Sequence, residues 1–590
     1  MNKLYFTLSL FISFTLIHHN SCSAQESRLS EDIRLNQIGF YPSGQKIAVV
    51  VNPVSDKFFI VSVNMKDTVF SGKLKKAGTW EYSNETVSKA DFTKFEKQGD
   101  YVLAVPGQGY SFTFSIQPRV HFDVAKASVK AFYYQRASTA LEPEFAGKWA
   151  RKAGHPDTSV IIHNSAASSN RPAGSTISSP KGWYDAGDYN KYIINSGIST
   201  FTLMALYENF PAYFDTLKLN IPESKNQIPD LLDEILWNLR WMLTMQDPED
   251  GGVYFKLTNA NFDGVEMPEK ATRPRYVVMK TTTSALDFAA VLAQAGRIYS
   301  KFNKLMPGFS DTCLKASEKG YAWAKKNSDI PYNQSALSDP KINTGGYGDG
   351  NFKDEFQWAA AELFVTTGKK NYYEDADVSS ITSSVGLPAW PNVATLGLYS
   401  LSAHRKMIKD KYGVNVDFVA EALVSKAAEF ANYASGSPYG IAMGIDPGNF
   451  SWGSNSGDAN QGMLLIEAYL VNKDKSFLDA AIASLDYLLG RNATTYSFVT
   501  GYGDKSTKHP HHRPSQADGI EEPVPGLLSG GPNPGQQDKI HCPGKKYPSD
   551  LPAKSFLDEE CSYASNEIAI NWNAPFAFLS FGIEALKTTK

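Results

Sequence analysis

Cysteine is scarce in this chain, with four among 590 residues, and no two of them form a Cys-x-x-Cys pair, so no zinc ribbon is expected. A basic surplus is missing as well. The 58 Lys and Arg stand against 61 Asp and Glu, a net charge of −3 with no long run of one sign, which argues against nucleic acid as a partner. Beyond the N-terminal segment no apolar stretch is long enough to cross a bilayer. No internal repeat marks a solenoid. What remains is globular, 42% hydrophobic and 20% charged, and 590 residues are too many for one ordinary domain.

Aromatic residues are plentiful at 13%, and many sit in Gly- and Pro-rich loops, where flat rings could stack on sugar faces or simply pack the loops down. The N-terminus reads as a targeting segment over residues 1–24: Met1-Asn2-Lys3, then an apolar run from Leu4 to Ile17. Ser21-Cys22 could be a lipoprotein processing site, with Cys22 as a lipid anchor to a membrane. A cut after Ala24 would release a soluble protein instead. The reading leans to the lipoprotein, and either route places the mature chain outside the cytoplasm, as an outer-membrane lipoprotein or a periplasmic or secreted protein. Cys542 and Cys561 bracket one Pro/Gly/Lys-rich loop, so a bridge between them is expected in an oxidising compartment, with Cys313 left as a buried thiol.

Short β-branched runs such as Ile47-Ala-Val-Val-Val and Tyr101-Val-Leu-Ala-Val, separated by turn residues, predict an all-β immunoglobulin-like sandwich over 30–118. After Pro118 helical periodicity takes over, at 124–137, 192–209, 226–245, 281–303, 309–327, 353–368, 390–407, 415–434, 458–471, 474–490 and 565–586. Several of these are apolar all round and must be buried in a larger assembly. They predict an all-α domain over 119–590 built as an array or closed double ring, with a cleft made of loops at one end.

The stretch Trp183-Tyr-Asp185-Ala-Gly-Asp188-Tyr-Asn-Lys191 holds two carboxylates three positions apart and feeds an apolar helix. A helix N-terminus favours an ionised carboxylate, which suits a general base working on a sugar. A plain capping loop or a calcium loop is an equally open reading of this stretch alone. The segment from Thr500 to Asp558 is unusually long for a loop, and loops of that kind are commonly functional.

Ser497 to Arg513, SFVTGYGDKSTKHPHHR, resembles the first signature of glycoside hydrolase family 9 through Ser497, Val499, Thr500, Gly503, Lys505, Pro510, His511 and Arg513. Phe556 to Ala574 resembles the second through Phe556, Asp558, Tyr563, Glu567, Ala569, Asn573 and Ala574, and Asp185–Asp188 resembles the family's third mark. The resemblance covers nearly the whole mature chain. It implies an (α/α)6 barrel behind an immunoglobulin-like domain, and inverting hydrolysis of β-1,4-linked glucans. Inversion needs a proton donor and a base on opposite faces of the scissile bond. Glu567, among apolar neighbours, is the expected acid. Asp188 is the expected base with Asp185 beside it; the residues alone do not choose between the two, and the resemblance favours Asp188.

His511 and Arg513 are expected to donate hydrogen bonds to sugar hydroxyls, and Asp558 to orient a neighbour or the sugar. Trp183, Trp452, Tyr563 and Trp572 are candidate stacking platforms, with a core role equally open for Trp452. No cofactor is required for the chemistry. A structural calcium at Asp354 and Glu355 is one reading of that acidic pair, and helix-start acids the other. Some relatives carry a Cys/His zinc site before the base; here Gly154-His155 has no Cys nearby, so zinc is not expected. The expected substrate is a plant-type β-glucan (xyloglucan, mixed-linkage glucan or amorphous cellulose), cut internally by a monomer. The alternatives are an exo-acting β-glucosidase or glucosaminidase on oligosaccharides and a non-catalytic surface glycan-binding protein.

Overall fold

The computed structural model describes residues 28–588; residues 1–24, read above as a targeting segment, and with them Cys22, lie outside the described residues. Ten strands come first: β1 Ile33–Arg34, β2 Gly39–Phe40, β3 Ile47–Val51, β4 Lys57–Ser62, β5 Thr68–Lys73, β6 Lys75–Trp80, β7 Glu85–Asp91, β8 Gly99–Val105, β9 Gly109–Tyr110 and β10 Phe114–Ile116. They form two sheets, ordered β1-β3-β7-β6 and β2-β10-β8-β4-β5 with β9 on β8. The unbroken apolar run of β3 has a physical cause. Ala48 and Val50 enter the core between the sheets, and Val49 and Val51 point the other way, into the core of the helical domain. A strand covered on both faces needs no polar alternation.

That docking face is sealed by polar contacts. Arg34 donates to both carboxylate oxygens of Glu85 at 2.7 and 2.8 Å, and Lys554, from the long loop, reaches Glu85 at 2.6 Å. Trp80 packs against Tyr439 with ring centroids 4.4 Å apart.

The helical domain opens with α1 Phe122–Tyr134 and continues through α2 Ile193–Asn209, α3 Asp230–Thr244, α4 Thr282–Tyr299, α5 Phe309–Lys326, α6 Lys353–Thr367, α7 Ala394–Ala403, α8 Asp417–Gly436, α9 Ser454–Asn472, α10 Lys475–Leu488 and α11 Ile570–Thr588. Helices α2, α4, α6, α7, α9 and α11 are buried along most of their length and form the inner ring, whereas α5 and α8 bury one stripe only. The expected helix over 390–407 divides at His404, and the one over 226–245 starts only after Pro229. The expected start at 565 gives way to Ile570 because Glu567 and Ile568 are extended, paired with His511 and Ser529.

A small sheet closes one end of the ring, with β11 Val160–Ile162, β12 Thr176–Ile177, β13 Lys191–Tyr192, β14 Lys256–Asn259 and β15 Arg275–Val277 in the order β12-β11-β15-β14-β13. It backs the loops that enter the inner helices.

Candidate active site

The three sequence motifs meet at this end, stitched by main-chain hydrogen bonds. His511 N–H donates to Asn566 O at 2.9 Å, Gly530 N–H to Glu567 O at 2.8 Å, and Ile570 N–H to Asp185 O at 2.9 Å. Arg513 returns to the Asp185–Asp188 loop, donating from its backbone N (3.1 Å) and from Nη1 (2.9 Å) to Gly187 O. Only glycine fits at 187, since a Cβ there would lie 2.2 Å from His511 O. The carboxyls of Asp185, Asp188 and Glu567 are thereby held within electrostatic reach of one another.

The Asp loop does not run straight into a helix. Lys191 and Tyr192 pair with β14 as strand β13, and α2 begins only at Ile193. The expected helix-terminus field therefore does not hold both carboxyls ionised. Asp185 is fully buried, and burial together with Asp188 pushes its carboxyl up to about 8, against hydrogen bonds from Tyr347 Oη (2.8 Å) and Asn195 Nδ2 (3.1 Å) to Oδ2. The Oδ1 of Asp185 has no hydrogen-bond partner among the described residues. Asp188 accepts Asn190 N–H at Oδ1 at 2.9 Å. Burial first, then Asp188 and Asp185, raise the Glu567 carboxyl well above the usual range; Arg513 and the Gly187 amide oppose that rise. Two carboxyls in unequal environments, one of them holding its proton more tightly than usual, are the arrangement that an acid and base pair for glycoside hydrolysis requires.

The flanking residues take roles that differ from several expectations. His511 donates from Nδ1 to Glu560 O at 2.7 Å, and burial lowers its pKa, so the neutral ring offers Nε2 as an acceptor of a sugar hydroxyl rather than a donor. Arg513 spends Nε on Asp263 O at 3.0 Å and Nη1 on Gly187, leaving Nη2 unpaired among the described residues. The Asp558 carboxylate orients neighbouring groups, the first of the two expected roles: it accepts the backbone N–H of Lys508 and His509 and Nδ2 of Asn566, and so ties the two signatures together.

Trp183 is not a platform, because it is wholly buried and donates from Nε1 to Glu234 at 2.9 Å. Trp452 is 43% exposed and its ring lies 5.5 Å from that of Tyr563, tilted by 31°; Tyr563 in turn lies 6.1 Å from His511. Trp572 is half-buried and wedged against Gly453 and Gly530, under the Trp452 turn. Phe262, also 43% exposed, lies 5.8 Å from the Arg513 guanidinium.

Cys542 and Cys561 are bonded, with Cα atoms 5.3 Å apart, next to the Glu560 carbonyl that holds His511. At the other acidic pair, both oxygens of Asp354 are occupied, by Asn351 Nδ2 (2.7 Å) and Val393 N–H (2.8 Å). Burial, then Asp287 and Asp354, push Glu355 up to about 11. Among the described residues no group of three or more His, Cys, Asp and Glu is placed to hold a metal ion, and Glu355 Oε2, Asp349 Oδ2 and both oxygens of Asp287 have no hydrogen-bond partner there. His155 is buried and pairs through Nδ1 with Tyr184 Oη at 2.9 Å.

Two residues escaped the sequence reading. Tyr347, which holds Asp185, is the one aromatic in Thr344-Gly-Gly-Tyr-Gly-Asp-Gly350, and an aromatic isolated in a glycine loop was the available signal. Lys256 is a charged residue inside the apolar run Val253-Tyr-Phe-Lys-Leu257, and its ammonium is buried.

Comparison with known proteins agrees with this geometry. The glycosyl hydrolase family 9 model matches residues 122–580, and that of a cellulase N-terminal ig-like domain matches 28–110. A xyloglucan-specific endo-β-1,4-glucanase of Bacteroides ovatus is 46% identical over 571 residues, 96% of this chain and 96% of that protein. Endoglucanase D of Acetivibrio thermocellus is 32% identical over 562 residues, 93% of this chain and 83% of its own length. Among solved structures, a family 9 protein of Bacteroides ovatus superposes with a TM-score of 0.88 at 44% identity, covering 95% of this chain and all (100%) of that one. A thermostable endoglucanase of Alicyclobacillus acidocaldarius gives 0.82 at 29% identity, covering 95% and 100%.

Proposed function

The chain belongs to glycosyl hydrolase family 9, and from that premise we propose that it cuts internal β-1,4 bonds of a branched, xyloglucan-type glucan, with Glu567 as acid and Asp188 as base. It is an inverting endo-β-1,4-glucanase. The observation that carries the assignment of roles is the unequal environment of the three carboxyls. Glu567 is raised well above the carboxylate range, so it holds the proton that the leaving oxygen needs. Asp185, pushed up to about 8 and bonded to Tyr347 and Asn195, is a poor base at neutral pH and a good anchor for water. The base role falls to Asp188.

A water between Asp188 and the anomeric carbon attacks as the glycosidic bond breaks. Its proton passes to Asp188, and the Glu567 proton goes to the departing hydroxyl. Arg513 Nη2 and His511 Nε2 are left to bind sugar hydroxyls, and the exposed Trp452, beside the half-buried Tyr563, supplies a stacking surface.

The preference for xyloglucan rests on likeness to the Bacteroides ovatus enzyme. Initial rates on xyloglucan, mixed-linkage glucan, amorphous cellulose and cello-oligosaccharides test it, with viscosity followed against reducing ends. Fast viscosity loss and the highest rate on xyloglucan are expected. A rate on unbranched glucans equal to that on xyloglucan would remove the substrate assignment, and release of single terminal sugars would remove internal cleavage. The Cys542–Cys561 bridge and the residue 1–24 segment support a location outside the cytoplasm, with a lipid anchor at Cys22. Mass measurement of the mature N-terminus tests the anchor.

A further inference from the structure

Lys256 sits on β14 with its side chain inside the protein, and its Nζ meets three acceptors: Gly345 O at 2.7 Å, Thr344 Oγ1 at 3.0 Å and Thr344 O at 3.3 Å. Three acceptors match the three protons of an ammonium, whereas a neutral amine would turn its lone pair toward an oxygen. No carboxylate lies within ion-pair distance of it among the described residues. The same strand reaches the catalytic loop. Thr258 Oγ1 donates to Asn190 Oδ1 at 3.0 Å and meets Thr344 Oγ1 at 2.6 Å, and Asn259 N–H donates to Asn190 Oδ1 at 3.0 Å. Asn190 N–H is the donor to Asp188 Oδ1. Three residues beyond Thr344, Tyr347 holds Asp185.

We propose that Lys256 is a positioning residue of the hydrolysis: it clamps the loop that carries Tyr347 to the strand behind the Asp185–Asp188 loop, and it supplies the buried positive charge that faces Asp188. The proposal rests on Asp188 as the base. Burial draws the Lys256 ammonium down to about 7, and Asp188 acts in the opposite direction, so the two charges favour each other. The other groups around Nζ are the rings of Tyr192 on β13 and of Tyr332, 5.4 and 5.3 Å away. Lys191 on β13 pairs with Asp157 instead, at 2.8 Å. Asp188 itself also faces Asp185, Glu567, Tyr192 and His511. Of these neighbours Lys256 is the buried cation.

The test is kcat/KM against pH on a soluble glucan for the wild type, Lys256→Met, Lys256→Arg and Thr344→Val, with Asp188→Ala and the Asp188→Ala/Lys256→Met double variant completing a cycle. Loss of the charge disfavours the ionised base, so Lys256→Met should move the acidic limb up by about one pH unit. It should lower kcat roughly 10- to 100-fold with little change in KM. Lys256→Arg should keep the limb within a few tenths of a unit, and Thr344→Val, which keeps the charge and removes one acceptor, should lose rate with the limb in place. In the Asp188→Ala background, Lys256→Met should cost clearly less than in the wild type. An unmoved acidic limb in Lys256→Met, or full additivity in the cycle, overturns the proposal. If Lys256→Met does not fold, a limb displaced in Lys256→Arg, or a Thr344→Val variant as fast as the wild type, overturns it. The base assignment is judged separately, by the Asp188→Ala arm: activity lost and partly restored by azide upholds it, and activity retained removes it whatever Lys256 does.

Discussion

At Asp185 and Asp188, two carboxyls from one loop carry different chemical loads. Asp185 has its Oδ2 between Tyr347 and Asn195 and its carboxyl pushed up to about 8. In the free enzyme near neutrality it is largely protonated, and an amide of the same shape imitates that state. Asp185→Asn should therefore keep far more activity on a glucan than Asp188→Asn, which should lose about 10²–10⁴-fold; steady-state rates check the ranking. Glu567→Ala should lose a similar factor on a glucan. On an aryl glycoside whose leaving group needs no proton it should recover, and Asp188→Ala should not. If Asp188→Ala were the variant rescued, acid and base would be exchanged. Of this division, the sequence showed the three carboxyls and their motifs. It could not show the partner of Asp185, because Tyr347 lies 162 positions away along the chain.

The elements that carry these residues were legible where the cause is local and illegible where it is not. The inner helices announce themselves by apolar periodicity, and β3 by an unbroken run of five residues, all buried. The extended setting of Glu567 could not be read from its own neighbours, which look helical. It comes from pairing with His511 and Ser529, and both partners belong to the long loop from Thr500 to Asp558. Trp183 was read as a platform because it flanks the carboxylates, yet its ring is claimed by Glu234 of α3. The long loop has little regular structure, a short helix at Arg513–Ala517 and a 3-10 turn at Pro552–Lys554, and so depends on tethers, among them the Asp558 carboxylate and the Cys542–Cys561 bond, which spans 19 residues. Replacing both cysteines by serine should cost about 3 kcal/mol of stability in the chain-entropy view. It should also raise KM through the Glu560 carbonyl that holds His511. Thermal unfolding and KM on a glucan measure the two effects, and a variant with unchanged KM would separate the bond from the site.

For the molecule as a whole, the sandwich is a wall of the catalytic domain rather than an appendage. Val49 and Val51 enter the helical core, and Glu85 links Arg34, Tyr439 and Lys554 of the long loop. The Glu85 carboxyl, raised by burial but lowered more by Arg34, Lys554 and Tyr439, stands at about 2 against an ordinary 4.5. A depressed carboxylate contributes its stability above 4.5 and loses it as pH falls toward 2. Glu85→Gln should thus lower the unfolding temperature at pH 7, with a deficit that shrinks in acid; a deficit independent of pH would remove the ionic part of the seam. The sandwich, the helical ring and the sheet at its end converge on one site that brings Glu567, the proposed acid, to Asp188, the proposed base. The most direct measurement is proton NMR of the first product released from a β-1,4-glucan. A single displacement by water predicts the α-anomer first, with the β-anomer growing in by mutarotation. A β-anomer formed first would mean a covalent intermediate, and would contradict the assignment of Glu567 and Asp188.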